Sequence, residues 1–153
     1  MNLLFVHILL ALFIPGAEPN FEQLAANYYF DNILTSKYPE LKAAEIATKT
    51  DTANYSGILM TCKQWDEETR KAIFSQPIEQ PKILQFPKSD IQVRKIRKRS
   101  NKIKVFVLPR KQIGDSYFVE VMAYRRHRSI DYYFLEFDKQ GRLIQLCEKN
   151  EII

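Results

Sequence analysis

The chain has 153 residues, enough for one ordinary domain with a hydrophobic core, and 46% of them are hydrophobic. Lysine and arginine number 23 against 18 acidic residues, and the formal net charge of +5 suits an acidic partner without requiring one. The two histidines, His7 and His127, do not stand at metal-ligand spacing from either cysteine, which argues against a structural zinc site. We expect no metal and no cofactor.

An uncharged apolar segment opens the chain. Residues 1–17 contain no Lys, Arg, Asp or Glu, and the apolar run from Leu3 to Ile14 is followed by Pro15-Gly16-Ala17. A helix needs about 20 apolar residues to span a bilayer, so this run has the length of a signal-peptide core. We expect a signal peptide over residues 1–17 that sends the mature chain to the periplasm or out of the cell. An uncleaved leader that anchors the protein to the membrane is the alternative.

The first part of the mature chain predicts helices. Asn20 with Gln23 fits a capping box at the start of an apolar helical stripe. Pro39 suits the first position of a second helix, and Thr61 with Gln64 suggests a capping box for a third. The predicted helices cover residues 21–36, 39–47 and 61–74, and together with a proline-containing connection they make up residues 18–90.

From Ile91 onward the hydrophobic period changes from helical to alternating, with many aromatic and β-branched residues. The connections at Gly114-Asp115, His127-Arg128 and 138–141 are as short as hairpin turns, so neighbouring strands should be antiparallel. Residues 91–153 therefore predict an antiparallel sheet, with strands at 103–108, 117–124, 130–137 and 142–147.

These elements predict an α+β protein in which two or three N-terminal helices pack on a curved antiparallel sheet of four to five strands. We expect residues 18–153 to form a single domain. In element order, helices followed by a strongly bent antiparallel sheet, the chain resembles the cystatin-like and NTF2-like cone folds. Such folds host enzymes as well as non-catalytic binders, so the resemblance implies no particular function.

The predicted strands carry large apolar side chains on both faces, whereas a sheet with one wet face alternates more cleanly with polar residues. The helices should cover one face. A ligand, a second copy of the chain or the sheet's own curl around a pocket should shield the other. We therefore expect a binding face on the sheet, which also offers a homodimer interface. Its candidate residues are Tyr124, Tyr132, Tyr133 and Phe137.

Positive charge is concentrated between Arg94 and Arg128, where twelve lysines and arginines stand against two acids. Alternate turns of a meander fall at one end of the sheet, so the turns at 98–102 and 125–129 should share an edge. This pattern predicts a rim that binds lipid head groups or other polyanions, and the alternative is a solvated set of edge charges that prevents aggregation. The candidate anion-binding residues are Arg94, Lys95, Arg97, Lys98, Arg99, Arg125, Arg126 and Arg128.

A nucleic-acid partner is not expected. The strand around Tyr117 and Phe118 is aromatic, as in an RNA-recognition sheet, but that fold needs helices between its strands. The connections here are too short to hold them, and export separates the protein from RNA.

The sequence shows no nucleophile elbow, glycine-rich phosphate loop or His-Cys arrangement, so we predict no catalytic residue. Glu120, Asp131 and Glu136 lie on predicted strands. If one of them pointed into an apolar cavity, its pKa would rise and it would suit general-base chemistry.

The mature chain has two cysteines, Cys62 and Cys147. In an oxidising compartment they would form one disulfide across about 85 residues, worth about 4 kcal/mol in the chain-entropy model. Two buried free thiols are the alternative, because the sequence does not place their Cβ atoms near each other.

The leading functional hypothesis is an exported, non-enzymatic module that binds a ligand or a protein with its sheet face. A small cone-fold enzyme with an acidic residue in the sheet cavity is one alternative. An electrostatic binder of an anionic envelope or matrix surface is the other.

Overall fold

The computed structural model describes residues 16–125 and 129–152, and within them the chain is α+β. Helix α1 is a continuous helix of 17 residues made of an α-helical part, Phe21–Tyr28, a π-helical part, Tyr29–Leu34, and a last turn, Thr35–Lys37. A 3₁₀ turn, Gly57–Thr61, precedes helix α2, Glu67–Ser75. The strands are β1 (Ala43–Ile46), β2 (Gln92–Lys95), β3 (Lys104–Val107), β4 (Lys111–Ile113), β5 (Ser116–Arg125), β6 (Ser129–Phe137) and β7 (Leu143–Ile152).

Helix α1 begins where the sequence predicts. Asn20 Oδ1 accepts the N–H of Gln23 at 3.1 Å and so satisfies a free donor of the first turn. The return bond of a capping box is replaced by a tertiary contact. The Gln23 side chain donates to the carbonyl of Gln85 at 3.1 Å and accepts its N–H at 2.8 Å. The start of α1 is thereby fixed to the extended connection.

The predicted second helix, over residues 39–47, is wrong, because its core is strand β1. Every residue of β1 is buried, and the strand lies between β2 and β3, parallel to both. The Glu45 N–H donates to the Ile103 carbonyl at 2.9 Å, and the Gln92 N–H donates to the Lys42 carbonyl at 3.0 Å. Pairing on both edges outweighs the helix preference of the alanines and glutamate, and it makes the sheet mixed rather than antiparallel.

The predicted third helix starts later than expected. Asp66 is its N-cap, with a carboxylate that accepts the Thr69 N–H at 2.7 Å. The Thr61 hydroxyl donates to the Ile58 carbonyl at 2.7 Å and closes the 3₁₀ turn instead of starting a helix. The predicted set of two or three helices therefore reduces, within the described residues, to α1 and α2.

The strands predicted in the second half are present and antiparallel from β3 onward. The sheet order is β2-β1-β3-β5-β6-β7, and β4 pairs with β5 as a short hairpin. Seven strands thus replace the predicted four to five. The strands outside the four predicted ranges, β1, β2 and β4, have only three or four residues each, too few to show a periodic pattern in the sequence.

The chain itself covers both faces of the sheet. On one face, helix α1 packs over alternate side chains of β5 and β6 in a core that holds Tyr133 and Phe137. On the other face lies a segment that we call the covering segment, residues 55–75. Its apolar side chains form a second core with the outward-facing set of the same strands, and this core consists mainly of Tyr55, Leu59, Trp65, Ile73, Phe118, Met122, Tyr132 and Phe134.

A disulfide between Cys62 and Cys147 joins the covering segment to β7, with a Cα–Cα distance of 6.0 Å. The indole N–H of Trp65 donates to Glu136 Oε2 of β6 at 2.6 Å, which fixes the segment at a second point. The face that the sequence analysis left for a ligand or a second copy is therefore occupied by residues of the same chain.

The turn between β6 and β7 gives a prediction for stability. Gly141 has φ +80, and a Cβ at this position would lie 2.7 Å from Leu24 Cδ1 of helix α1. Gly141→Ala should lower the free energy of unfolding by about 1–3 kcal/mol through backbone strain and this contact. Thermal unfolding measures the effect. The control is Gly57→Ala, where a Cβ meets nothing within 4 Å. Equal melting temperatures of the two variants would contradict the prediction.

Candidate anion-binding cleft

The connection between β2 and β3, residues 96–103, forms what we call the basic loop. Arg97, Lys98 and Arg99 are exposed along it. Glu45 of β1 holds the loop in place through a hydrogen bond to its backbone. Glu45 is 1% exposed, and its Oε2 accepts the Arg97 N–H at 3.0 Å. Burial opposes ionisation of Glu45, but the hydrogen bonds from Arg97 and Ser100 and the nearby cations outweigh it and hold its pKa below the ordinary value.

Two adjoining hollows open beside the basic loop, at the end of the sheet where Lys104 of β3 lies beside Tyr124 of β5. We call them the first and second lobes of the cleft. The first lobe, about 330 Å³, is lined by Ser100, Asn101, Lys102, Lys104, Phe106, Tyr124 and Arg125. The second lobe, about 560 Å³, is lined by Tyr38, Glu40, Leu41, Lys42, Ala43, Asn101, Lys102, Ile103 and Arg125.

The cleft combines positive charge with an aromatic wall. Among the residues that the structure describes, Lys42, Lys102 and Lys104 form no ion pair, although the charge of Lys104 helps to lower the pKa of the buried Glu45. The rings of Phe106 and Tyr124 meet edge to face with their centres 5.3 Å apart, and Tyr124 is 38% exposed. Such a surface can attract an anion and also contact an apolar group attached to it.

Arg125 belongs to both lobes and is held in place by a buried carboxylate. Asp131 is 1% exposed; its Oδ1 accepts from Arg125 Nη2 at 3.1 Å, and its Oδ2 forms an ion pair with the guanidinium, 2.9 Å from Nε. Asn150 donates to the same carboxylate at 2.6 Å, and Lys37 Nζ lies 3.6 Å from it. The guanidinium is therefore oriented before any ligand arrives, which lowers the entropy that binding must overcome.

The structure brings together only part of the predicted anion-binding set. Arg125 lines the cleft, and the exposed Arg97, Lys98 and Arg99 lie on the loop that borders it. Arg94 and Lys95 lie on the edge strand β2. Arg126 and Arg128 fall outside the described residues.

Of the lining of the cleft, only Tyr124 and Arg125 were among the candidate residues. Lys102 and Lys104 lie within the basic region of the sequence, whereas Lys42 was hidden by the incorrect helix assignment. Phe106 had been read only as a strand residue.

The predicted sheet-face residues are placed mainly inside the protein. Tyr133 and Phe137 are buried under helix α1, and Tyr132 is buried under the covering segment. Of the four, Tyr124 alone is exposed, and it lies in the cleft at the end of the sheet rather than on its face. The prediction of a free sheet face was wrong because the apolar side chains of the covering segment pack on the face opposite helix α1.

Glu120, Asp131 and Glu136, the three acids on predicted strands, do not line the cleft. Each of them accepts hydrogen bonds from other groups of the protein. Glu120 is 0% exposed, and its Oε2 accepts the Ser56 N–H at 2.8 Å. Burial raises the pKa of Glu120 to about 8, although the Ser56 N–H and the charge of Lys111 oppose the shift. Glu136 accepts from Trp65 and Ser116, while Asp131 holds Arg125.

Within residues 16–125 and 129–152, no group of three or more His, Cys, Asp or Glu residues is arranged to hold a metal ion. The described helices include none that is both long and apolar enough to traverse a bilayer. Comparison of the chain with protein-family models, curated proteins and solved structures finds no match.

Proposed function

We propose that the protein is an exported, non-enzymatic binding module that attaches to an anionic surface through the cleft and the basic loop. The observation that carries the proposal is the group of lysines, Lys42, Lys102 and Lys104, that lines the cleft beside the oriented guanidinium of Arg125. A basic patch of this kind attracts anionic surfaces at a range of about one Debye length. The site lies at the end of the sheet, because both sheet faces are already covered.

Two features support export. The apolar leader over residues 1–17 has the composition and length of a signal peptide. The Cys62–Cys147 disulfide is typical of proteins that fold in an oxidising compartment.

The enzymatic alternative rests on Glu120, whose raised pKa would suit a general acid or base in a cone-like fold. Glu120 is fully buried and accepts the Ser56 N–H of the covering segment, so a substrate could reach this carboxyl only after displacement of the residues around it. The cleft needs no such displacement and is therefore the better-supported site.

Charge reversal in the basic loop tests the proposal. The triple variant Arg97→Glu, Lys98→Glu, Arg99→Glu should bind vesicles of phosphatidylcholine and phosphatidylglycerol at least about 100-fold more weakly, because each basic residue near an anionic membrane contributes about 1 kcal/mol. Vesicle co-sedimentation measures the loss. Binding of the unaltered protein should also weaken steeply as salt is raised.

A matched control carries the same change in net charge elsewhere. Lys63→Glu, Lys88→Glu, Lys139→Glu alters three exposed lysines outside the cleft and should retain most of the binding. Equal losses in the two triple variants would show that net charge alone drives attachment. Unchanged binding in the basic-loop variant would refute the proposed function.

A further inference from the structure

The two lobes of the cleft differ in character on either side of a shared cationic centre. Lys102 and Arg125 line both lobes and mark the position where an anion would lie. On one side the anion would face the rings of Phe106 and Tyr124. On the other side it would face the second lobe, where the charged Glu40 and Lys42 lie beside the apolar Leu41 and Ile103. A ligand with an apolar part at the rings and a polar part at Glu40 and Lys42, on opposite sides of a negative charge, would use both lobes.

We propose that the cleft takes one molecule of an anionic phospholipid with a hydroxylated head group, such as phosphatidylglycerol. The inference rests on the proposed function and narrows it from an anionic surface to a lipid site. The phosphate diester lies at Lys102 and Arg125, and the glycerol backbone with the first acyl carbons lies against Phe106 and Tyr124. The head-group hydroxyls lie in the second lobe.

Glu40 defines the kind of head group. It is the single carboxylate in the lining of the cleft, and it lies in the second lobe with Tyr38 and Lys42. A carboxylate accepts hydrogen bonds from hydroxyl groups but repels a second phosphate. The Glu40 carboxylate therefore suits the hydroxyl groups of an uncharged polyol head group. Its volume of about 560 Å³ lies within the range usual for small-molecule sites.

The exposure of Tyr124 suits the place where a lipid passes from water to the membrane. Its ring is packed against Phe106, whereas 38% of the residue remains accessible. Tyrosine is favoured at membrane interfaces because one end is apolar and the other carries a hydroxyl. The basic loop borders the same opening, so it contacts the surrounding head groups while one lipid occupies the cleft.

The test uses short-chain lipids that remain monomeric, so that vesicle attachment does not contribute. Dihexanoyl-phosphatidylglycerol, glycerol phosphate and dihexanoyl-phosphatidylcholine are titrated into the mature protein and followed by calorimetry. We expect the phosphatidylglycerol to bind about 10-fold or more tightly than glycerol phosphate, since two buried methylenes already supply that factor. Phosphatidylcholine should bind more weakly than phosphatidylglycerol, because its head group carries a positive charge.

Two variants separate the two sides of the site. Tyr124→Ser should reduce phosphatidylglycerol binding toward that of glycerol phosphate and leave glycerol phosphate unchanged. Lys102→Gln should weaken both ligands. Both side chains are at least partly accessible, so the fold should survive either change.

Equal affinity for phosphatidylglycerol and glycerol phosphate, or for the two lipids, would overturn the lipid site. So would a Tyr124→Ser variant with unchanged lipid binding. Each of these results leaves the vesicle experiment as an independent test of the anionic surface.

Discussion

Replacing Cys62 and Cys147 by alanine should lower the free energy of unfolding by about 4–5 kcal/mol, the largest effect expected for this protein. The disulfide closes a loop with a sequence separation of 85, and the chain-entropy model gives a stabilisation of this size for such a loop. Both cysteines are fully buried in the core between the covering segment and the sheet, so lost packing adds to the effect. Urea unfolding with linear extrapolation measures the difference.

Reduction provides the control. A reducing agent should destabilise the unaltered protein by a similar amount and should have no effect on the double alanine variant. Hydrogen exchange should show the earliest loss of protection in the covering segment, residues 55–75, because the disulfide joins it to β7. Equal stability of the variant and the unaltered protein would contradict the structural role of the bond.

The second large effect concerns Glu120 and depends on pH. Its pKa in the folded protein is about 8, above the usual value of 4.5, so the folded state binds the proton more tightly than the unfolded state. Stability linked to this group is therefore fully present below about pH 4.5 and is lost as pH rises toward 8. The loss between pH 5 and pH 8 should be about 3 kcal/mol.

Glu120→Gln removes the charge while it keeps the size and an oxygen for the Ser56 N–H. The variant should be more stable than the unaltered protein by a few kcal/mol at pH 8, and the difference should shrink as pH falls to 5. Urea unfolding across this pH range measures it. Glu68→Gln, an exposed change on helix α2, should leave the pH dependence unaltered. An identical pH slope for Glu120→Gln and the unaltered protein would refute the buried, protonated state.

The strongest sequence signals gave reliable predictions. Strands β5, β6 and β7 follow from long alternating runs of aromatic and β-branched residues, and the start of α1 follows from the Asn20 cap. Strand β1 could not be predicted in the same way. Its four residues favour a helix locally, and only the hydrogen bonds to two distant strands make them extended.

The sequence correctly predicted that both faces of the sheet are apolar, but it did not predict that the covering segment packs on the second face. Tyr55, Leu59, Trp65 and Ile73 are spread over nineteen residues that include a 3₁₀ turn, a capped helix and irregular backbone. No single period describes them, so their common orientation toward the sheet was not visible in the sequence. The inference that a ligand, a second copy or the sheet's own curl around a pocket shields the face was wrong for this reason.

The sequence predicted the place of the cleft only through its concentration of lysine and arginine. The basic residues near 98–102 and 125 were expected at one edge of the sheet, and the lining of the cleft brings Lys102 and Arg125 together there. The acids that orient this site, Glu45 and Asp131, are isolated in the sequence. Their roles depend on the register of β1 and β6, which sequence reasoning did not supply.

Hydrogen–deuterium exchange of residues 18–153, with and without phosphatidylglycerol vesicles, tests the central claim most directly. If the end of the sheet is the binding site, the vesicles should slow exchange in the basic loop, residues 96–103, along β3 and near Tyr124. The covering segment should exchange as before. Slowed exchange confined to the covering segment, or no slowing in any part of the chain, would contradict a binding site in the cleft.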